Sequence, residues 1–168
     1  MKPFPYHIHD LTHTLRPDVP TWTGSCGFKH EIKLDYEERP SDAQFRVQQV
    51  KLHAGIGTHI DAPAHAIPGA ATVEGLKLED LICPCFCIDV SDAKEDFLLQ
   101  KEDVLAFEKK HGVIGENSFV IVYTGWDKRW GDPDKYRNNQ KAPGVSEGVA
   151  LLLLERKIRS EEHTSELQ

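Results

Sequence analysis

The residue types best able to do chemistry lie in one stretch, His53-Ala-Gly-Ile-Gly-Thr-His59-Ile-Asp61-Ala-Pro63-Ala-His65. It brings together three imidazoles, one carboxylate and two glycines within 13 residues. In an extended chain, residues of one parity point to one side. His59, Asp61 and His65 share that parity, so they converge if the chain stays extended to 61 and turns at Pro63. Imidazole nitrogen with carboxylate oxygen is the ligand mixture of zinc, manganese or iron. Gly55 and Gly57 carry no side chain, which leaves room for a metal or a substrate to approach the backbone. A single histidine in a turn-rich edge is ordinarily a satisfied core residue. His-x-Asp-x3-His after Gly-x-Gly-Thr outweighs that plain alternative, and His59, Asp61 and His65 are read as the site.

Other groupings are weaker. His7, His9 and His13 sit near the start at no recognised ligand spacing. Cys83, Cys85 and Cys87 lack the Cys-x2-Cys spacing of a zinc knuckle, and with Cys26 they make no secretory disulfide framework. The window 81–90 reads instead as a buried strand whose thiols act as small apolar groups. Trp22, in a loop marked by Pro17, Pro20 and Gly24, is either a packing plug or one wall of a substrate pocket.

Several elements must position these residues. Residues 6–15 alternate loosely and predict a first strand. Residues 28–36 alternate apolar with polar, and 45–53 follow as a further strand leading directly into the histidine motif, so this half predicts antiparallel pairing. A short helical turn is expected over 76–82, then the strand at 84–90. Residues 100–111, with a basic last turn and Gly112 beyond, predict an amphipathic helix. Phe119-Val-Ile-Val-Tyr-Thr124 predicts a strand buried on both faces. Residues 125–144 read as a long polar loop, and Ser146 opens a last helix running to about 157.

The bulk properties narrow the class. A chain of 168 residues suits one domain with a real core. Its net charge of −7 argues against nucleic acid as a main partner. No window approaches the ~20 consecutive apolar residues of a membrane span, so no membrane partner is expected. Residues 1–7 hold no apolar signal-peptide core, and a cytoplasmic location is expected. Residues 159–168 continue no core-facing period and resemble translated sequencing-adaptor read-through. They are read as a non-native tail after an incomplete domain at 1–158.

The motif Gly57-Thr-His59-Ile-Asp61-Ala-Pro63-Ala-His65 resembles that of the cyclase family of metal-dependent hydrolases, which includes bacterial-type kynurenine formamidase and isatin hydrolase. His9-Asp-Leu-Thr12 with Pro20-Thr-Trp22, Ile88-Asp-Val90, Thr124-Gly-Trp126 and Pro143-Gly-Val-Ser146 extend the likeness over about residues 6–156. The resemblance implies an α/β fold with a mixed, largely antiparallel sheet and few helices, of the swivelling β/β/α type, and a homo-oligomer in the full-length parent. It implies a divalent metal, zinc or manganese, held by His59 and Asp61. His65 is implied either as a further ligand or as the catalytic base. The implied reaction is hydrolysis of a small amide, formamide or lactam by metal-activated water. Two departures stand out. The family has a histidine four residues before His59, where this chain has Gly55; the nearest is His53. The family's further ligands, a His and a Glu, come from a C-terminal region this chain lacks, so the chain is expected to be poorly active or inactive. Two other classes remain: a non-catalytic small-molecule-binding protein on the same scaffold, favoured by Gly55, and a thiol-based metal or redox protein using Cys83, Cys85 and Cys87.

Overall fold

The computed structural model describes residues 5–21, 23–38, 44–158 and 160–162. Strands β1 (Phe28–Leu34) and β2 (Val47–Leu52) pair antiparallel. Phe28 faces Leu52, His30 faces Val50 and Ile32 faces Gln48, with a bulge before Leu34. The pairing runs one step further, because the His53 N–H donates to the Gly27 carbonyl at 2.9 Å. The hairpin thus delivers the chain into the histidine motif from a fixed start.

Short 3₁₀ turns at Pro63–His65, Val73–Gly75 and Leu78–Leu81 carry the chain to β3 (Cys85–Asp89). Next come β4 (Leu98–Leu99) and helix α1 (Lys101–His111). Strand β5 (Phe119–Tyr123) follows, then a 3₁₀ turn at Trp126–Arg129 and helix α2 (Pro133–Arg137). Strand β6 (Gly144–Val145), helix α3 (Glu147–Glu155) and strand β7 (Ser160–Glu162) complete the order. β3, β5 and β7 form a parallel sheet in the order β3-β5-β7, and β4 pairs parallel with β6.

Among the described residues, three of the four strand pairings are parallel, which corrects the expectation of a largely antiparallel sheet. The cause is connectivity: α1 lies between β3 and β5, and α3 between β5 and β7. A parallel neighbour needs such a crossover, whereas a hairpin does not.

The local chemistry explains the helices. The Asp103 carboxylate accepts from the Gln100 N–H at 2.9 Å and caps α1, whose last turn carries Lys109, Lys110 and His111. Ser146 Oγ accepts from the Val149 N–H and starts α3. The core gathers Leu99, Val104, Ile114, Val120, Val122, Val149, Leu152 and Leu153 beside Ile88. Glu108, on the inner face of α1, accepts from the Ile114 N–H at 2.8 Å and from both Arg156 guanidinium nitrogens, tying α1 to the end of α3.

Four expectations for individual elements change. Residues 6–15 form no strand; they run as an irregular strap with Tyr6, Ile8 and Leu11 exposed and, among the described residues, no strand paired with them. β3 is buried on one side only. Ile88 enters the core, whereas Cys85 and Cys87 face solvent with Asp89, so they are not the buried thiols the apolar run suggested. β5 likewise buries Val120 and Val122 while Tyr123 is exposed. Residues 125–144 are not an open loop. Trp126 and Tyr136 are buried together, with Trp130 and Ala142 against them, and the Trp126 Nε1–H donates to the Tyr136 carbonyl at 2.8 Å. No described helix is long and apolar enough to cross a membrane.

Candidate functional site

Beyond His53 the chain leaves the hairpin, and Ile56 and Gly57 anchor it inward. Gly57 has φ +60°, and a Cβ there would lie 2.6 Å from Leu15 Cδ2 and 3.8 Å from Trp130 Cη2. Only glycine meets both the backbone and the packing demand. This turn aims the Gly57 carbonyl at His59, whose Nδ1 lies 2.7 Å away. A carbonyl only accepts, so Nδ1 carries the proton.

His59 Nε2 therefore offers its lone pair outward and faces Asp61 Oδ1 at 3.6 Å. Two acceptors facing each other at that range could share a cation. Pro63 starts the 3₁₀ turn that brings His65 round, and His65 Nδ1 lies 3.8 Å from the same Asp61 oxygen. Exposure rises along the series, with side-chain values of 14% for His59, 42% for Asp61 and 66% for His65. The site is thus a largely covered histidine, a central, partly exposed carboxylate and an outer, exposed histidine.

The structure brings all three sequence-predicted residues around Asp61. The donor set fits a divalent metal in kind, and His59 fits in detail, because a backbone carbonyl on one ring nitrogen is the usual support for a ligating histidine. The set is not a closed shell. Among the described residues, no three His, Cys, Asp or Glu side chains gather closely enough to hold a metal ion by themselves. Position 55 bears on this: a Cβ built on Gly55 would lie 3.4 Å from His59 Nε2, so a side chain there would start beside that nitrogen. His53 is turned elsewhere, with Nδ1 3.6 Å from a Cβ built at Gly27. Trp22, expected at the pocket wall, lies outside the described residues.

The structure adds residues not singled out for the site. His13, read only as one of three amino-terminal histidines, stacks on Trp130 with centroids 4.2 Å apart and planes 9° from parallel. Its backbone N–H donates to Thr58 Oγ1 at 3.3 Å. Trp130 in turn meets Tyr136 edge-on at 5.3 Å. The spacing of Trp126 and Trp130, four residues apart, was the available signal that this region turns helically and buries an aromatic face. The thiols lie apart from this site. Partial burial, then Cys87 and Cys83 nearby, push the Cys85 thiol pKa up; partial burial, then Asp89, raise that of Cys87.

Comparison with known proteins shows the family of the chain. Residues 9–160 match the Cyclase family model, described as "Putative cyclase", and the chain belongs to that family. It is 38% identical over 167 residues to isatin hydrolase of Roseibium aggregatum, an alignment covering 90% of this chain and 64% of that protein. It is 31% identical over 122 residues to kynurenine formamidase of Bacillus cereus, covering 68% of this chain and 57% of the relative. The fold is also similar to the solved isatin hydrolase A of Ralstonia solanacearum, with TM-score 0.76 and 31% identity over 91% of this chain and 64% of that one. The chain thus spans less than two thirds of the length of these relatives.

Proposed function

We propose that this chain carries the metal-binding half of a hydrolase acting on a small amide, formamide or lactam. The observation that carries the reading is the opposed pair His59 Nε2 and Asp61 Oδ1, held by a glycine turn that fixes the ring's tautomer. The names of the relatives, isatin hydrolase and kynurenine formamidase, support a cyclic amide or an aryl formamide as substrate. The reading includes zinc or manganese as the metal, the swivelling β/β/α arrangement and a homo-oligomer.

A bound divalent metal supplies a Lewis acid for the carbonyl and lowers the pKa of water toward neutrality. His59 would hold it through Nε2 and Asp61 through Oδ1. His65 would complete this part of the shell or act as the base. In the second role, with Asp61 Oδ1 3.8 Å from its Nδ1, His65 would take a proton from the attacking water through Nε2. The C–O bond forms, the C–N bond breaks, and the same proton passes from His65 Nε2 to the departing nitrogen.

The test is a hydrolysis assay of the chain with isatin and N-formylkynurenine, with phenyl acetate as an ester control, in added Mn²⁺ or Zn²⁺ and in chelator. The reading expects Mn²⁺ or Zn²⁺ to bind the chain and any lactam opening or formate release, slow at most, to need the metal and to be lost in His59→Ala. Amide hydrolysis indifferent to chelator, or wild type that binds neither Mn²⁺ nor Zn²⁺, would overturn it. A binding protein without catalysis is the second reading, favoured by the bare Gly55 facing His59. Equal ligand binding by wild type and His59→Ala, without turnover, would select it.

A further inference from the structure

We infer that His13 is a positioning residue for the His59 centre, acting through Thr58 and Trp130; the inference rests on the metal-site reading above. The strap at 6–15 belongs to no strand, yet two of its alternate residues fasten onto the site turn. Leu15 Cδ2 occupies the space a Cβ at Gly57 would need. His13 is held at two points: its ring lies flat on Trp130, and its N–H donates to Thr58 Oγ1. Trp130 is itself fixed by the edge of buried Tyr136, and its Cη2 reaches toward Gly57.

The Gly57-Thr58 segment is therefore gripped between the strap and the Trp130 ring. That grip has a chemical consequence, because the Gly57 carbonyl sets which nitrogen of His59 carries the proton. If Gly57 or Thr58 shifts, the carbonyl leaves Nδ1, and Nε2 is no longer held as the free donor. Losing an outer-shell support of this kind typically costs ~10–100-fold in metal affinity. Among the described residues, His13 makes no hydrogen bond or ion pair with His59 or Asp61. Its stacked ring and Thr58 bond serve the turn rather than the metal.

The experiment uses the ¹⁵N-labelled chain. Long-range ¹H–¹⁵N spectra read the tautomer of His59, and calorimetric titration with Mn²⁺ reads affinity. Wild type is expected to show His59 as the Nδ1–H form. His13→Ala is expected to lose that single-tautomer signature and to bind Mn²⁺ about tenfold more weakly. His13→Phe keeps a stacking ring and the backbone N–H, and is expected to rescue both. Should His13→Ala fail to fold, Thr58→Val removes only the hydroxyl acceptor and is expected to loosen the tautomer in the same direction. Wild-type tautomer and affinity in the His13→Ala or Thr58→Val variant would overturn the inference. So would a His13→Phe protein as impaired as His13→Ala. If wild type binds neither Mn²⁺ nor Zn²⁺, the hydrolase reading fails, while the tautomer spectra still decide whether His13 positions His59.

Discussion

His59 Nε2 and Asp61 Oδ1 oppose each other at 3.6 Å as two acceptors, because the only proton a neutral His59 ring carries is given to the Gly57 carbonyl. Asp61→Asn tests what this opposition is for. The asparagine amide can donate directly to Nε2, so the variant should fold and melt as wild type does. It should bind Mn²⁺ or Zn²⁺ more weakly by at least the ~10–100-fold that even an outer-shell partner is worth. Calorimetric titration beside a thermal melt checks both halves.

Gly55 offers the converse test. Its Cβ position is in ordinary contact with the His59 ring, so Gly55→Ala should be tolerated, with a gain of about 0.4–1 kcal/mol from the stiffer unfolded chain. Gly55→His adds an imidazole that starts beside His59 Nε2 and should tighten metal binding by tenfold or more. An unchanged metal titration would count against the proposed metal position.

Gly57→Ala should do harm. The positive φ costs a non-glycine residue roughly 1–2 kcal/mol, and the new methyl must also push Leu15 aside. The melting temperature should fall by about 4–6 °C. Metal affinity should fall with it, because the Gly57 carbonyl would no longer be held on His59.

Glu108 is a structural counterpart away from the site. Its buried carboxylate satisfies the Ile114 N–H and the Arg156 guanidinium together. Glu108→Ala leaves both donors without that acceptor and should destabilise the chain by about 3–5 kcal/mol in urea unfolding.

The thiols of Cys85 and Cys87 are exposed on β3, yet their pKa values are raised, first by partial burial of the sulfur. A raised thiol pKa means less thiolate at neutral pH. Alkylation by iodoacetamide should therefore be slower at pH 7.5 than for a free cysteine. Its rate should keep climbing above about pH 8.5, where an unperturbed thiol is already half ionised. A fast reaction at pH 7 would restore the thiol-based reading that this geometry disfavours.

The site motif was readable because its geometry is local. His59, Asp61 and His65 need only an extended parity and one proline turn, and the structure keeps that pattern around Asp61. Helix α1 was readable for the same reason, from its amphipathic pattern, its basic last turn and Gly112 beyond it. The rest depends on partners distant in sequence. The mainly parallel sheet follows from crossovers, and β4 and β6, at two residues each, leave no periodic trace. The run around Cys85 and Cys87 is apolar on both parities, so it could not reveal which side meets the core. His13 and Trp130 meet across 117 positions, so neither residue's own neighbourhood announces the stack.

The most direct test of the central claim is metal-stripped protein assayed with isatin while Mn²⁺ is titrated back, run in parallel on wild type and His59→Ala. Mn²⁺ should bind wild type and not His59→Ala, and any lactam opening, slow at most, should be absent in chelator and rise with bound Mn²⁺ in wild type alone. Opening that persists in chelator, or that His59→Ala performs as well as wild type, would contradict the account.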